Sequence, residues 1–115
     1  MSEPHGEYET ELRETLAEAP GLRVRRLMLS AGQQVPWHSH SHITDTFICL
    51  AGPMRVTTRH PDAVHELGAG EMLTVPPSTP HLVTGIGDGT CSFVIIQGVG
   101  EYDYVALDDT GDAPT

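Results

Sequence analysis

The chain contains no lysine and no asparagine, and its 6 basic residues, all arginine, face 16 acidic ones. Codon usage explains the first two gaps as well as any physical cause, so they carry no functional reading. The scarcity of positive charge does. A formal charge of −10 repels phosphate and excludes nucleic acid and anionic membranes as expected partners. Long hydrophobic runs are also missing: no stretch approaches the roughly 18 apolar residues of a membrane helix, so a soluble domain is expected. Cysteine is limited to Cys49 and Cys91, too few for a disulfide framework. Both lie in apolar runs and no signal-peptide pattern precedes them, which points to two reduced core thiols in a cytoplasmic protein. The 115 residues make one domain, and 38% hydrophobic with 19% charged residues is a globular composition.

The first 20 residues are rich in glutamate, and Leu12 and Leu16 at helical spacing suggest a short helix or a solvated arm. From Gly21 the texture becomes short β-branched and apolar runs separated by glycine and proline, the pattern of an all-β domain. Eight strands are expected: 22–29, 34–40, 45–50, 54–59, 63–67, 71–75, 81–84 and 91–97, with a ninth over 102–107. Gly52-Pro53, His60-Pro61-Asp62, Gly68-Ala69-Gly70, Pro76-Pro77 and Gly85 to Gly89 read as turns. A closed or double-sheet β architecture over 21–107 follows, with a flexible tail over 108–115. Met28, Met54 and Met72 fall at strand positions and read as core filler.

Seven histidines are present, and three alternate in Trp37-His38-Ser39-His40-Ser41-His42. The strand period of two sends His38 and His40, and by the same count His42, to one face. Imidazoles at i and i+2 on a rigid strand can meet a single ion with little reorganisation, although ordinary surface histidines give the same pattern. His5, His60 and His65 lie in a tail, a turn and a polar strand face, and are read as exposed. Trp37 either walls a pocket or packs, and Tyr102 and Tyr104 either supply a phenolic acid or base or pack at an edge.

Gly32, His38, His40, Asp45 and Gly52 resemble the first motif of the cupin family, with Asp45 where that motif has Glu. Gly70, Pro76, Ser78, His81 and Gly85 resemble the second, with Ser78 in place of the inner Gly and Gly85 in place of the closing Asn. The resemblance implies a single-domain jelly-roll β-barrel holding one divalent transition metal (Fe, Mn, Zn or Ni). Carried over by position, its ligands would be His38, His40, Asp45 and His81. Asp45 has the wrong parity for the face of His38 and His40, so the chain must bulge or turn between Ser41 and Thr44, and the shorter Asp must still reach. His42 is an alternative ligand. The resemblance also implies a homodimer paired through edge strands.

Three histidines and one carboxylate leave two or three positions open on a divalent ion, which suits dioxygen chemistry or Lewis-acid isomerase, lyase or decarboxylase chemistry on a small organic molecule. A non-catalytic binding or sensor protein is the competing class. What separates them is an acid or base within reach of the site, for which Tyr102, Tyr104, Glu101, Glu71 and His42 are the candidates.

Overall fold

The computed structural model describes residues 8–112; the expectation for His5, and those for the outermost residues of the arm and tail, lie outside the described residues. The described chain forms ten strands and no helix: β1 (Leu12–Ala19), β2 (Leu22–Leu29), β3 (Gln34–Ser39), β4 (Thr44–Ala51), β5 (Met54–Thr58), β6 (Ala63–Leu67), β7 (Met72–Val75), β8 (His81–Gly85), β9 (Cys91–Gly98) and β10 (Val105–Ala106). They build two antiparallel five-stranded sheets, ordered β1-β2-β9-β4-β7 and β10-β3-β8-β5-β6.

Strand parity divides each segment between interior and surface. On β9, Cys91, Phe93, Ile95 and Gln97 are buried while the intervening residues are half-exposed, and β4 does the same with Asp45, Phe47 and Cys49. β2 turns Arg25, Leu27 and Leu29 inward. The core between the sheets is centred on Leu27, Leu29, Phe47, Met54, Val56, Val83 and Phe93. Cys49 and Cys91 are buried there as free thiols, and burial and Cys49 together push Cys91 up to about 11.

Three expectations need correction. The segment with Leu12 and Leu16 is strand β1 rather than a helix, because it pairs with the whole of β2, register Leu12↔Met28 to Ala19↔Leu22. A register shift between Thr15 and Ala17 leaves Leu16 at 51% exposure, so its helical spacing from Leu12 serves no apolar face. Met72 lies at 60% exposure on the outer face of β7, and of the three strand methionines only Met54 is fully buried. The expected ninth strand shrinks to the two residues of β10, because 102–104 cross between the sheets. Within 108–112, Asp108 Oδ1 accepts hydrogen bonds from the Thr110 and Asp112 amides, and Arg59 Nε donates to Thr110 O.

Of the two departures from the second motif, the one at Gly85 has a local physical cause and the one at Ser78 does not. Ser78 has φ 61, the left-handed conformation that favours glycine, and its amide donates to His40 O at 2.7 Å. At Gly85 a Cβ would fall 2.1 Å from Gly89 O, so no asparagine side chain fits there. Trp37 packs rather than walling a pocket: the Arg59 guanidinium lies 4.5 Å from its ring, and a Cβ on buried Gly111 would come within 3.1 Å of the indole.

Candidate metal centre

β3 and β8 are paired from Val35↔Val83 to His38↔His81, and the extra residue on β3 forms a bulge. The bulge reverses parity, so Val35 and then His38 and His40 all face inward, with His81 directly opposite His38. The parity conflict of Asp45 is resolved by a bend at Ser41 and His42 between β3 and β4, which restarts β4 with Asp45 on the inner face. His38, His40, Asp45 and His81 are each at most 3% exposed, and their four donor atoms lie within 4.8 Å of one another. The shorter carboxylate does reach. Asp45 Oδ2 lies 2.8 Å from Nε2 of His81, 3.0 Å from Nε2 of His40 and 4.0 Å from Nε2 of His38.

The other ring nitrogens identify the tautomers. His38 Nδ1–H donates to Pro36 O at 2.8 Å, His81 Nδ1–H to Thr79 O at 2.8 Å, and His40 Nδ1–H to Asp103 O. A carbonyl only accepts, so each Nδ1 carries a proton and each Nε2 is turned toward Asp45, that of His81 hydrogen-bonded to Oδ2 at 2.8 Å. Lone pairs converging on a carboxylate repel unless protons or a cation sit between them. His40 Nε2 shows the strain of this arrangement: it is buried and makes no aligned hydrogen bond despite its 3.0 Å approach to Asp45. Backbone carbonyls that fix the tautomer are the usual support of histidine metal ligands, so these residues fit a divalent transition metal.

Burial opposes charge throughout the cluster, but the neighbours decide the outcome. Burial, together with His81 and His40, holds His38 well below its ordinary value. Burial acts the same way on His40, yet the Asp45 carboxylate raises it above the ordinary range. Burial would raise Asp45, but His40 and His81 reverse this and keep it ionised far into acid. Asp45 is thus an anion among three imidazoles, and a bound cation would displace protons from the nitrogens it uses.

A strap of residues 100–107 runs from β9 to β10 across this end of the barrel. Gly100 N donates to Gly21 O, Ser41 N to Asp103 Oδ1 and Leu107 N to Trp37 O. It lays the Tyr104 ring on His38, with centroids 4.6 Å apart and planes 7° apart, and Tyr102 5.3 Å from His40. Burial, Tyr8 and Tyr102 push the Tyr104 phenol up, so it stays protonated. His42 is exposed and outside the donor set, Glu101 is exposed, and the exposed Glu71 accepts from Gly68 N, so none of the three joins the cluster.

Three residues at this site went unread in the sequence. Gln97 Nε2 donates to Asp45 Oδ1 at 3.2 Å, and Arg25, 4% exposed, lines a cavity of about 20 Å³ beside the histidines. Both share the parity of buried apolar residues on their strands, Leu27 and Leu29 on one and Phe93 and Ile95 on the other. Tyr8, which stacks on Tyr104 at 6.3 Å, had no such signal.

Two sheets closed over an interior cluster of three histidines and a carboxylate define a small β-barrel whose interior could hold a metal ion. The chain belongs to the cupin family: residues 25–97 match the family model described as Cupin domain. Similar solved structures agree. A double-stranded β-helix protein from Klebsiella pneumoniae is 22% identical with a TM-score of 0.73, covering 84% of either chain. A cupin-2 domain protein from Shewanella frigidimarina is 21% identical with a TM-score of 0.61, over 78% of this chain and 82% of that one. An oxalate oxidase in complex with glycolate is 19% identical with a TM-score of 0.69, over 83% and 53%. A search of curated proteins finds no significant match. No helix among the described residues is long and apolar enough to cross a membrane.

Proposed function

We propose that the protein binds one divalent transition metal through His38, His40, Asp45 and His81 and is a metal-dependent enzyme acting on a small organic molecule. The observation that carries this reading is the set of three Nδ1–H groups held by backbone carbonyls, which turns three Nε2 atoms toward one carboxylate oxygen. A metal there supplies Lewis acidity or, if it is iron, access to dioxygen. The chain's own residues supply the rest. Gln97 holds Asp45 through Oδ1, and the strap lays the Tyr104 and Tyr102 rings against His38 and His40.

One observation favours the second reading, a non-catalytic binding or sensor protein. Among the described residues lining the cavity, the ligand histidines are the only side chains of a type that ordinarily titrates near neutrality. Elemental analysis of untagged protein purified without chelator, beside His81→Ala, tests the site itself. About one metal atom per chain, lost in the variant, supports it; equal metal in both overturns it. Stoichiometric iron directs the next assay to oxygen uptake. We also propose that the protein is a homodimer paired through the β1 edge, where Leu16 is exposed. A monomeric mass in light scattering overturns that.

A further inference from the structure

We propose that Tyr102 is the gate of the histidine cluster: its ring closes the passage between the interior cavity and a larger hollow beside it, and so selects by size which molecules reach the histidines. The inference rests on the cluster being the site of the proposed function and adds the route by which its substrate arrives. The cavity beside the histidines, about 20 Å³, has room for about one water. An organic molecule therefore reaches the cluster only when part of the cavity wall moves. Between the β1–β2 turn and the start of the strap lies a hollow of about 240 Å³, bordered by Ala19, Leu22, Gly100 and Glu101 among others. Gln97 and Tyr102 line both spaces, so these two side chains form the partition between them.

The partition has a fixed half and a movable half. Gln97 belongs to β9, which is paired on one side with β2 and on the other with β4. Its amide is engaged at both ends, Nε2 donating to Asp45 and Oε1 accepting from Arg23 Nε at 3.4 Å. Tyr102 lies in the part of the strap that joins no strand. Its ring is 5.3 Å from the His40 ring and 3.9 Å from the Arg23 guanidinium, and contacts of this kind are individually weak. The backbone on either side is pinned. Gly100 N donates to Gly21 O, a Cβ at Gly100 would fall 2.5 Å from His42 O, and Asp103 Oδ1 accepts from Ser41 N. Rotation of the Tyr102 ring is thus the motion that joins cavity and hollow while the strap stays in place. Opening the cavity elsewhere would displace core side chains such as Leu27, Phe47 or Phe93 and expose apolar surface, whereas Tyr104 lies flat on His38 and does not border the hollow.

Diethyl pyrocarbonate, which acylates imidazole nitrogens and is larger than the cavity, tests this on metal-free protein, the rate at each histidine being read by peptide mass spectrometry. In the wild type the exposed His42 and His60 are expected to react faster than the cavity-lining His38 and His40. Tyr102→Ala should raise the rates at His38 and His40 by about tenfold, since entry no longer waits for the ring to leave Arg23 and His40, and should leave His60 unchanged. Tyr102→Phe keeps the ring and should behave as the wild type. Equal rates at His38 and His40 in Tyr102→Ala and wild type, a rise in Tyr102→Phe as large as in Tyr102→Ala, or a wild-type His40 that reacts as fast as His60 overturns the proposal. If Tyr102→Ala does not fold, Ala19→Trp decides, because it fills the hollow from an exposed position on its border. Slower labelling of His38 and His40 than in the wild type supports the gate, and an unchanged rate overturns it. The labelling needs no metal, so its outcome is separate from the elemental analysis that decides the metal reading.

Discussion

The two ends of the barrel interior are built from the same strands and have opposite chemistry. β4 runs from Asp45 through Phe47 to Cys49, β9 from Gln97 through Ile95 and Phe93 to Cys91, β2 from Arg25 to Leu27 and Leu29, and β8 from His81 to Val83. One end is close-packed hydrocarbon and thiol. The other is a buried cluster of imidazoles, a carboxylate, an amide and a guanidinium. Burying apolar area drives folding, whereas each buried polar group has to recover its lost hydration through partners. The apolar end therefore supplies stability, and the polar end spends part of it to hold lone pairs at one point.

Breaking the apolar end should have the largest effect. Phe93→Ala empties a fully buried ring position and should lower stability by about 3–5 kcal/mol in urea unfolding. A loss below 1 kcal/mol would mean that the two ends share the load. His81→Ala breaks the other end and should separate function from stability. Zinc at 100 times its dissociation constant should stabilise the wild type by about 2.7 kcal/mol and leave the variant unmoved.

Acidity sharpens the contrast, because only the polar end titrates near neutrality. The raised pKa of His40 gives metal-free protein a contribution that is fully present below 6.5 and lost as pH rises through the raised value. His38, held low, acts with the opposite sign: stability falls as pH drops below 6.5, because the unfolded chain binds the proton more readily. His40→Gln should remove the alkaline-side loss and His38→Gln the acid-side loss in unfolding measured from pH 5 to 8.5. Phe93→Ala should leave both slopes intact.

Smaller effects lie outside the two ends. Ser78→Gly relieves a left-handed φ next to the cluster and should stabilise the fold by roughly 1 kcal/mol, read as a higher melting temperature. Arg55→Gln removes an exposed cross-strand pair with Glu66 and should cost about 0.2–1 kcal/mol.

The strands from β2 to β9 were legible because alternation and turn residues are local properties, and the gathering of His38, His40, Asp45 and His81 was legible through two spaced motifs. The helix expected at the N-terminus failed because Leu12 and Leu16 carry too little pattern to compete with the hydrogen-bonding edge that β2 offers. Met72 was misplaced because a strand position does not say which face is covered.

Residue types and their spacing along the chain were enough to specify an all-β domain and four donors, since parity and turn chemistry act over a few residues. They could not specify the bulge that turns His38 inward, the carbonyls of Pro36, Thr79 and Asp103 that set the tautomers, or the arrival of Gln97 at Asp45 from 52 positions away. Those depend on which strands become neighbours. That choice is made by closing the whole barrel around one core, and no short segment carries it.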